Sequence, residues 1–362
     1  MKLHVMFVGS QFIYNMALRE YVLRSVQRCC DVVDMVTLHK DGDSSLFLDI
    51  EQQVNMPKNL IVVTSKQNAS TVGKLVATAT GDMQVLQNGA LMPQKTVVAE
   101  EGSYLLEHAK AFINVVQIDD GQKIPTILLN NSSSKATLHV MDEQKETLHN
   151  LLTPIAQTYE VVFELTTLVE GWQRVDLFSK RYGDISNFIA AVKKLLPKNT
   201  IASADVVEYM IEKLASQGKK ITFAESCTGG LLSYFLTKHN GASKILEGAL
   251  ITYSNELKDN WLAVSEETLK KYGAVSAEVV CEMSEGALDV SHADFAIAVS
   301  GIAGDSGGSD EKPVGTVYIG VRSKTEHLEK HLYFQGDRNF IQSQSVLYGL
   351  KMLFLLDRET FF

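Results

Sequence analysis

The sequence contains no apolar run that reaches the roughly 18 residues needed for a membrane-spanning helix. It also lacks a signal-peptide pattern, because the opening "MKLHVMFVGS" has a short apolar stretch without a cleavage site and is typical of a first strand. The four cysteines are spaced neither as zinc ligands nor as a disulfide framework. We therefore expect a cytoplasmic protein with reduced thiols and no membrane partner.

The sequence also lacks the patterns that indicate several kinds of binding and catalytic site. The net charge is −9, which argues against a nucleic-acid surface because phosphate backbones are bound by clustered lysine and arginine. The nine histidines lack metal-ligand spacing, and none lies in a motif that indicates a Ser-His-Asp triad. No glycine-rich stretch ends in the Gly-Lys-Ser/Thr of a P-loop. We expect no nucleic-acid partner and no metal.

What is present is an alternation of strand-like apolar runs and amphipathic helical segments. Strands are predicted for "KLHVMFVG", "NLIVVTS", "IPTILLNN", "KKITFAE" and "DFAIAVSG", with helices between such runs. This rhythm predicts an α/β protein with two three-layer domains, each a mostly parallel sheet flanked by helices. We place the domains at 1–157 and 201–362, with a short α+β connecting segment at 158–200 that ends in a linker at 197–200.

Glycine is distributed unevenly between the two halves. Residues 1–200 contain 9 of the 24 glycines, and residues 201–362 contain the other 15. Because glycine lets the backbone approach a ligand closely, the chemistry is expected in the C-terminal half.

The stretch "AESCTGG", residues 224–230, joins a predicted strand to a predicted helix. Ser226 and Cys227 are neighbouring candidate nucleophiles. The backbone N–H groups of Thr228, Gly229 and Gly230 would favour an anion at the helix start, either a phosphate or a developing oxyanion. The alternative is a plain turn in which a serine or threonine caps the helix.

A second motif, "ITYSNELK", places Tyr253 and Lys258 after another strand. A lysine whose pKa is lowered can activate a serine hydroxyl as a general base, whereas a capped helix start with a solvated lysine is the alternative. Since no histidine motif is available, Lys258, alone or with Tyr253, is the candidate base for Ser226. Cys227 has no thiolate stabiliser in any motif, so we expect it to pack beneath the turn.

The third and fourth motifs are candidate anion sites. The glycine-rich stretch "SGIAGDSGGSDEKPVGTV" can cradle a phosphate through backbone N–H groups, or it can form a disordered hairpin loop. Arg338 in "GDR" can clamp a phosphate or carboxylate, or pair with Asp337 on the surface. The candidate binding residues of these motifs are Ser300, Gly301, Gly304, Lys312 and Arg338.

Together with "GAVS", these motifs occur in the order of one family. Residues 201–358 resemble the C-terminal domain of the competence-damage-inducible (CinA) family, whose characterised members are nicotinamide-nucleotide amidohydrolases. The resemblance implies hydrolysis of the carboxamide of nicotinamide mononucleotide, without a cofactor, in a homodimer. It also implies Ser226 as the nucleophile, with Tyr253 and Lys258 as activating partners. Asp305 stands where the family's "SGIAGP" has proline, which places a negative charge near the phosphate loop.

The N-terminal half is similar to the molybdopterin-binding-like domain of full-length CinA proteins. That domain hydrolyses ADP-ribose in some members, but its glycine-rich loop is replaced here by "VVTSKQNAST", which has no glycine. We expect the fold to be retained and the activity lost. The alternative functions are a nucleotide-binding regulatory protein without turnover, and an ADP-ribose pyrophosphatase that acts through the N-terminal domain.

Overall fold

A computed structural model describes residues 3–30, 33–87, 90–129, 135–179, 182–304 and 307–362. The chain divides into two compact units, residues 1–133 and 134–362. Within the described ranges, no helix is both long enough and apolar enough to cross a lipid bilayer.

The first unit is a six-stranded sheet with helices on both faces. The strands of the unit are β1 (Leu3–Val8), β2 (Val33–His39), β3 (Asn59–Thr64), β4 (Gln84–Gln87), β5 (Ala90–Pro93), β6 (Thr96–Glu100), β7 (Ser103–His108) and β8 (Ala111–Gln117). Of these, β4 and β5 form a separate two-stranded antiparallel sheet. The helices of the unit are α1 (Ser10–Tyr14), α2 (Met16–Cys29), α3 (Leu46–Val54) and α4 (Lys66–Ala79). The sheet order is β2-β1-β3-β8-β7-β6, parallel as far as β8 and antiparallel beyond it.

The alternation of side chains along β1 explains the two layers of helices. Leu3, Val5 and Phe7 pack with α1 and α2, whereas Met6 and Val8 pack with α3 and α4. A strand whose two faces are both covered has a continuous apolar sequence, as "LHVMFV" does. The predicted α/β class is confirmed for this unit.

The strand predicted from "IPTILLNN" is not formed in the described residues. The backbone N–H groups of Leu128 and Leu129 donate to the Asn114 side-chain oxygen, at 2.8 and 3.2 Å, instead of to a neighbouring strand. Residues 130–134, which follow this segment, lie outside the described residues.

The second unit begins with a small antiparallel sheet. Its elements are β9 (Lys135–Met141), α5 (Lys145–Thr158), β10 (Val161–Val169), β11 (Trp172–Ser179), α6 (Ile185–Leu195) and β12 (Thr200–Ala202), and the strand order is β10-β11-β9-β12. Because β9 pairs with β11 and β12, the predicted domain boundary after residue 157 is misplaced. The boundary lies near 133, so the α+β segment is longer than predicted.

The segment 197–200 is not a free linker. Arg358 Nη1 donates to the Lys198 carbonyl oxygen at 2.8 Å and to Asn199 Oδ1 at 2.7 Å. Met141, Val169 and Trp172 of the small sheet also belong to the same hydrophobic core as the helices that follow. The α+β segment and the C-terminal domain are therefore packed into one unit.

The C-terminal domain is a five-stranded sheet with helices on both faces. Its strands are β13 (Ile221–Glu225), β14 (Leu246–Ile251), β15 (Phe295–Gly301), β16 (Thr316–Ser323) and β17 (His327–Tyr333). Its helices are α7 (Val206–Ser216), α8 (Leu231–Thr237), α9 (Asn255–Leu262), α10 (Glu266–Tyr272), α11 (Ala277–Ser291), α12 (Arg338–Leu356) and α13 (Arg358–Phe361).

The parallel half of this sheet brings the sequence motifs together. The strand order is β14-β13-β15-β16-β17, with β14, β13 and β15 parallel and the last two strands antiparallel. The carboxyl ends of parallel strands meet at one edge of a sheet, where ligands bind in such folds. "AESCTGG", "ITYSNELK" and "SGIAG" follow β13, β14 and β15, so all three motifs open at that edge.

We predict that replacing Trp172 by alanine lowers the free energy of unfolding by about 3–5 kcal/mol, the usual cost of removing a large buried aromatic side chain. Trp172 is fully buried, donates from Nε1 to His139 Nδ1 at 3.1 Å and packs edge-on against Phe354. Urea unfolding of the full chain measures the change. Trp261 is 49% exposed and provides the matched control. If Trp261→Ala lowered the free energy of unfolding by the same amount, the place of Trp172 in the core shared by the small sheet and the C-terminal domain would be contradicted.

Candidate functional site

Ser226 lies on a turn at the centre of the parallel strands. It follows β13 directly, and its backbone N–H donates to the Val299 carbonyl of β15 at 3.0 Å. Its side chain is nearly buried, with 8% of the residue exposed. The turn is completed by Gly229 and Gly230, whose φ angles of 59° and 101° lie in the region that favours glycine.

The anion at the start of α8 is the chain's own carboxylate. Glu225 is fully buried and accepts four hydrogen bonds, from the N–H groups of Gly230, Leu232 and Ser233 at 3.0 Å each and from the Ser233 hydroxyl at 2.6 Å. A buried carboxylate requires such partners. Glu225 lies within "AESCTGG". A long acidic side chain shortly before a predicted helix start is the sequence signal that could have identified this contact.

The predicted use of Gly229 and Gly230 as anion donors is therefore wrong. The Gly230 N–H is taken by Glu225, and the Gly229 N–H donates to the Ser226 carbonyl at 3.1 Å. Among the described residues, no other residue accepts from the N–H groups of Cys227 and Thr228. These two N–H groups beside Ser226 are the donors that the turn leaves available.

Lys258 reaches the serine from α9. Its residue is 1% exposed, and Nζ lies 3.0 Å from Ser226 Oγ, 2.7 Å from the Thr252 carbonyl oxygen and 3.4 Å from that of Tyr253. Burial lowers the pKa of Lys258 from 10.5 to about 8, because a charged amine is disfavoured away from water. A neutral amine has two N–H bonds for the two carbonyls and one lone pair for the serine hydroxyl.

Cys227 is a poor nucleophile in this arrangement. Burial raises the pKa of Cys227 to about 12, so the thiol stays protonated at neutral pH. The residue belongs to the hydrophobic core of the second unit, and its carbonyl accepts from Gln342 Nε2 at 2.7 Å. The geometry agrees with the expectation that Cys227 packs beneath the turn.

These groups open into a cavity of about 240 Å³. Eight of the predicted site residues line it: Ser226, Cys227, Tyr253, Lys258, Ser300, Gly301, Gly304 and Arg338. Four residues that we did not predict also line it: Ala274, Val275, Ile302 and Ala303. Ala274 and Val275 belong to "GAVS", a motif that was named only as part of the family resemblance and not as a source of site residues.

Lys312 does not line this cavity, contrary to its predicted contact with an anion. Its Nζ donates to the carbonyl oxygens of Tyr272 and Val275 at 2.7 and 2.8 Å. Ser300 Oγ donates to the Ala274 carbonyl at 2.7 Å. Both side chains therefore hold the 273–275 segment in place as a wall of the cavity.

Arg338 is the cation available to a ligand. It is the first residue of α12, and the preceding Asp337 caps the helix by accepting from Phe340 N at 2.8 Å. No carboxylate among the described residues forms an ion pair with Arg338, so the alternative pairing with Asp337 is not formed. A methyl group on Gly304 would lie 2.1 Å from Arg338 Nη2, so a side chain there would displace the guanidinium. Asp305 lies outside the described residues.

Tyr253 contributes differently from the prediction. The residue is 64% exposed, and its hydroxyl makes no hydrogen bond within the part of the chain that the structure describes. Only its carbonyl approaches Lys258 Nζ, at 3.4 Å. The predicted role of Tyr253 as an activating partner of Lys258 is therefore supported by a contact of its carbonyl only, among the described residues, and stays a prediction.

In the first unit too, carboxylates accept hydrogen bonds from the N–H groups that lie beyond the ends of the strands. Asp41 accepts from Ser10 N at 3.2 Å and from Asn68 Nδ2 at 2.6 Å, and Asp119 accepts from Lys66 N at 3.1 Å. Hydrogen bonds from Ser10 and Asn68 lower the pKa of Asp41, so it is ionised at neutral pH. Negative charge at the helix starts disfavours a phosphate there, in agreement with the predicted loss of ADP-ribose hydrolysis, which stays a prediction.

Comparison with known proteins gives matches for the half of the chain that carries this cavity. Residues 203–356 match the family model of the CinA C-terminal domain. A CinA-like protein of Thermotoga maritima is 38% identical over 220 residues, 59% of this chain and 53% of that protein. One from Prochlorococcus marinus is 39% identical over 211 residues, 56% and 48% of the two chains. The chain spans about half the length of these curated relatives.

Among solved structures, the competence/damage inducible protein CihA from Agrobacterium tumefaciens is 38% identical. The match covers 42% of this chain and 93% of that one, with a TM-score of 0.41.

We predict that Glu225→Gln lowers the free energy of unfolding by about 2–3 kcal/mol, because hydrogen bonds to a charged group are lost and an amide NH₂ faces the N–H donors of α8. Urea unfolding of the full chain measures this change. Glu256→Gln, an exposed change in the first turn of α9, is the control and should stay within about 0.5 kcal/mol. Equal values for the two variants would show that the carboxylate does not hold the turn.

Proposed function

We propose that the C-terminal domain, whose residues 203–356 match the CinA C-terminal domain, hydrolyses the carboxamide of nicotinamide mononucleotide. The products would be nicotinic acid mononucleotide and ammonia. The observation that carries the proposal is the 3.0 Å contact between Lys258 Nζ and Ser226 Oγ in a buried site.

In the proposed reaction, neutral Lys258 removes the hydroxyl proton of Ser226, and Ser226 Oγ bonds to the carboxamide carbon. The oxygen of that carbon gains negative charge, for which the N–H groups of Cys227 and Thr228 are the available donors. The proton on Lys258 passes to the amide nitrogen, which leaves as ammonia. The same lysine then takes a proton from water, and the hydroxide attacks the ester carbon. The bond from that carbon to Ser226 Oγ breaks, and the lysine returns the proton to Ser226.

Two features of the cavity support a mononucleotide substrate. Arg338 presents a guanidinium that has no carboxylate partner among the described residues, which suits a phosphate. The volume of about 240 Å³ lies near the lower end of the range of about 300–1,000 Å³ for ligand pockets, so a mononucleotide fits better than a dinucleotide. A homodimer, cytoplasmic location and role in pyridine nucleotide salvage belong to the same proposal.

Ser226→Ala should lower ammonia release from nicotinamide mononucleotide by about 1,000-fold or more, because the nucleophile is removed. Cys227→Ala should keep most of the rate, since its thiol is protonated and packed in the core. Ammonia is measured with purified full-length protein, and Cys281→Ala controls for loss of a thiol elsewhere. The reverse pattern would make Cys227 the nucleophile. Tight nucleotide binding by the unaltered chain without ammonia release would instead support a regulatory protein.

The rate should depend on pH through Lys258. Below its pKa of about 8 the lysine carries a proton and cannot accept one from Ser226, so kcat/KM should rise about tenfold per pH unit up to pH 8 and then level off. Chromatographic measurement of nicotinic acid mononucleotide between pH 6 and 9.5 gives the profile. A flat profile over this range would exclude Lys258 as the base.

A further inference from the structure

The exposed side chain of Tyr253 has no role in the steps above. Its backbone is fixed, because its carbonyl meets Lys258 Nζ and the next residue, Ser254, caps α9 by accepting from Leu257 N at 3.2 Å. The side chain is nevertheless 64% exposed, and Tyr253 lines the cavity beside Ser226. A residue with an anchored backbone and a mostly exposed ring therefore lies at the wall of the cavity where a substrate would lie.

The charges of the cavity create a problem for the proposed substrate. Among the described residues that line it, Arg338 is cationic, Lys258 is the basic amine of the proposed reaction, and none is acidic. Nicotinamide mononucleotide carries a positive charge on its pyridinium ring. Arg338 suits the phosphate, but the described lining offers no carboxylate for the ring.

Tyr253 is the only aromatic residue in that described lining. The face of an aromatic ring carries negative charge density and attracts cations, an interaction that favours binding by about 0.5–2 kcal/mol. The remaining walls near it, such as Ala274, Val275 and Ala303, are small and uncharged.

We propose that the ring of Tyr253 is the recognition platform for the cationic pyridinium ring of the substrate, so that this domain selects quaternary pyridines over neutral ones. The proposal rests on the proposed function, whose substrate class it specifies. It gives Tyr253 a role in specificity through its ring. The hydroxyl group is not required.

Binding to the full-length protein tests this without catalysis. The probes are the 1-methylnicotinamide cation and neutral nicotinamide, which differ in ring charge, and binding is followed by ligand-observed NMR titration. The unaltered protein should bind the cation more tightly. Tyr253→Leu should reduce that preference by about 2- to 30-fold, the factor that corresponds to the cation–π range, and Tyr253→Phe should keep it. The same order should appear in KM for nicotinamide mononucleotide, with kcat changed less.

Two control variants separate the ring from other sources of selectivity. Tyr234 on α8 is 62% exposed and does not line the cavity, so Tyr234→Leu should leave the preference unchanged. Asp305 follows Gly304 in the sequence and is acidic, so Asp305→Asn tests whether a carboxylate holds the cation instead.

The outcomes that would overturn this proposal differ from the outcome that would overturn the proposed reaction. Lack of preference in the unaltered protein, a preference that survives Tyr253→Leu, or a preference that disappears with Asp305→Asn alone would each overturn the proposal. Loss with Tyr253→Phe as large as with Tyr253→Leu would assign the effect to the hydroxyl and overturn it too. If the preference behaves as expected but nicotinamide mononucleotide releases no ammonia, the proposed reaction fails and the recognition platform stands.

Discussion

The buried carboxylate of Glu225 is the constraint on which the candidate site depends. Its four hydrogen bonds from the first turn of α8 satisfy donors that a helix start otherwise leaves unpaired. They also fix the turn that carries Ser226. Because these donors are occupied, the N–H groups of Cys227 and Thr228 are the ones left beside the serine. A site that resembles an anion cradle in sequence is thus filled by the protein itself and positions Ser226, the proposed nucleophile.

The second constraint is the burial of Lys258, which acts on the protonation of its amine. A lysine in water is protonated at neutral pH and cannot take a proton from serine. Here burial lowers the pKa of Lys258 to about 8, while two carbonyl oxygens, from Thr252 and Tyr253, hold the amine in place. The nearby Cys227 responds to burial in the opposite sense, since its pKa rises to about 12. The same dry environment therefore activates Lys258 and keeps the thiol of Cys227 protonated.

The fold and much of the site were predictable from local patterns. Apolar runs ending in polar, glycine-rich motifs identified β13, β14 and β15, and parallel strands necessarily bring their carboxyl ends together. The proximity of Ser226, Lys258 and Gly304 follows from that rule, whereas Arg338 begins α12 after β17. The domain boundary was not predictable in the same way. β9 and Trp172 belong to the second unit through strand pairing and core packing, which join residues far apart in sequence.

The sequence by itself determined the α/β class and indicated Ser226 and Lys258 in the C-terminal half as the candidate pair, because residue type and strand-end position limit those features. Only the tertiary structure decided how each donor is used. Lys312 braces the 273–275 wall through backbone carbonyls, the glycine N–H groups serve Glu225 or the turn, and the Tyr253 hydroxyl makes no hydrogen bond to a residue that the structure describes. Hydrogen-bond donors are allocated by distance and burial among competing acceptors, and a linear motif does not contain those distances.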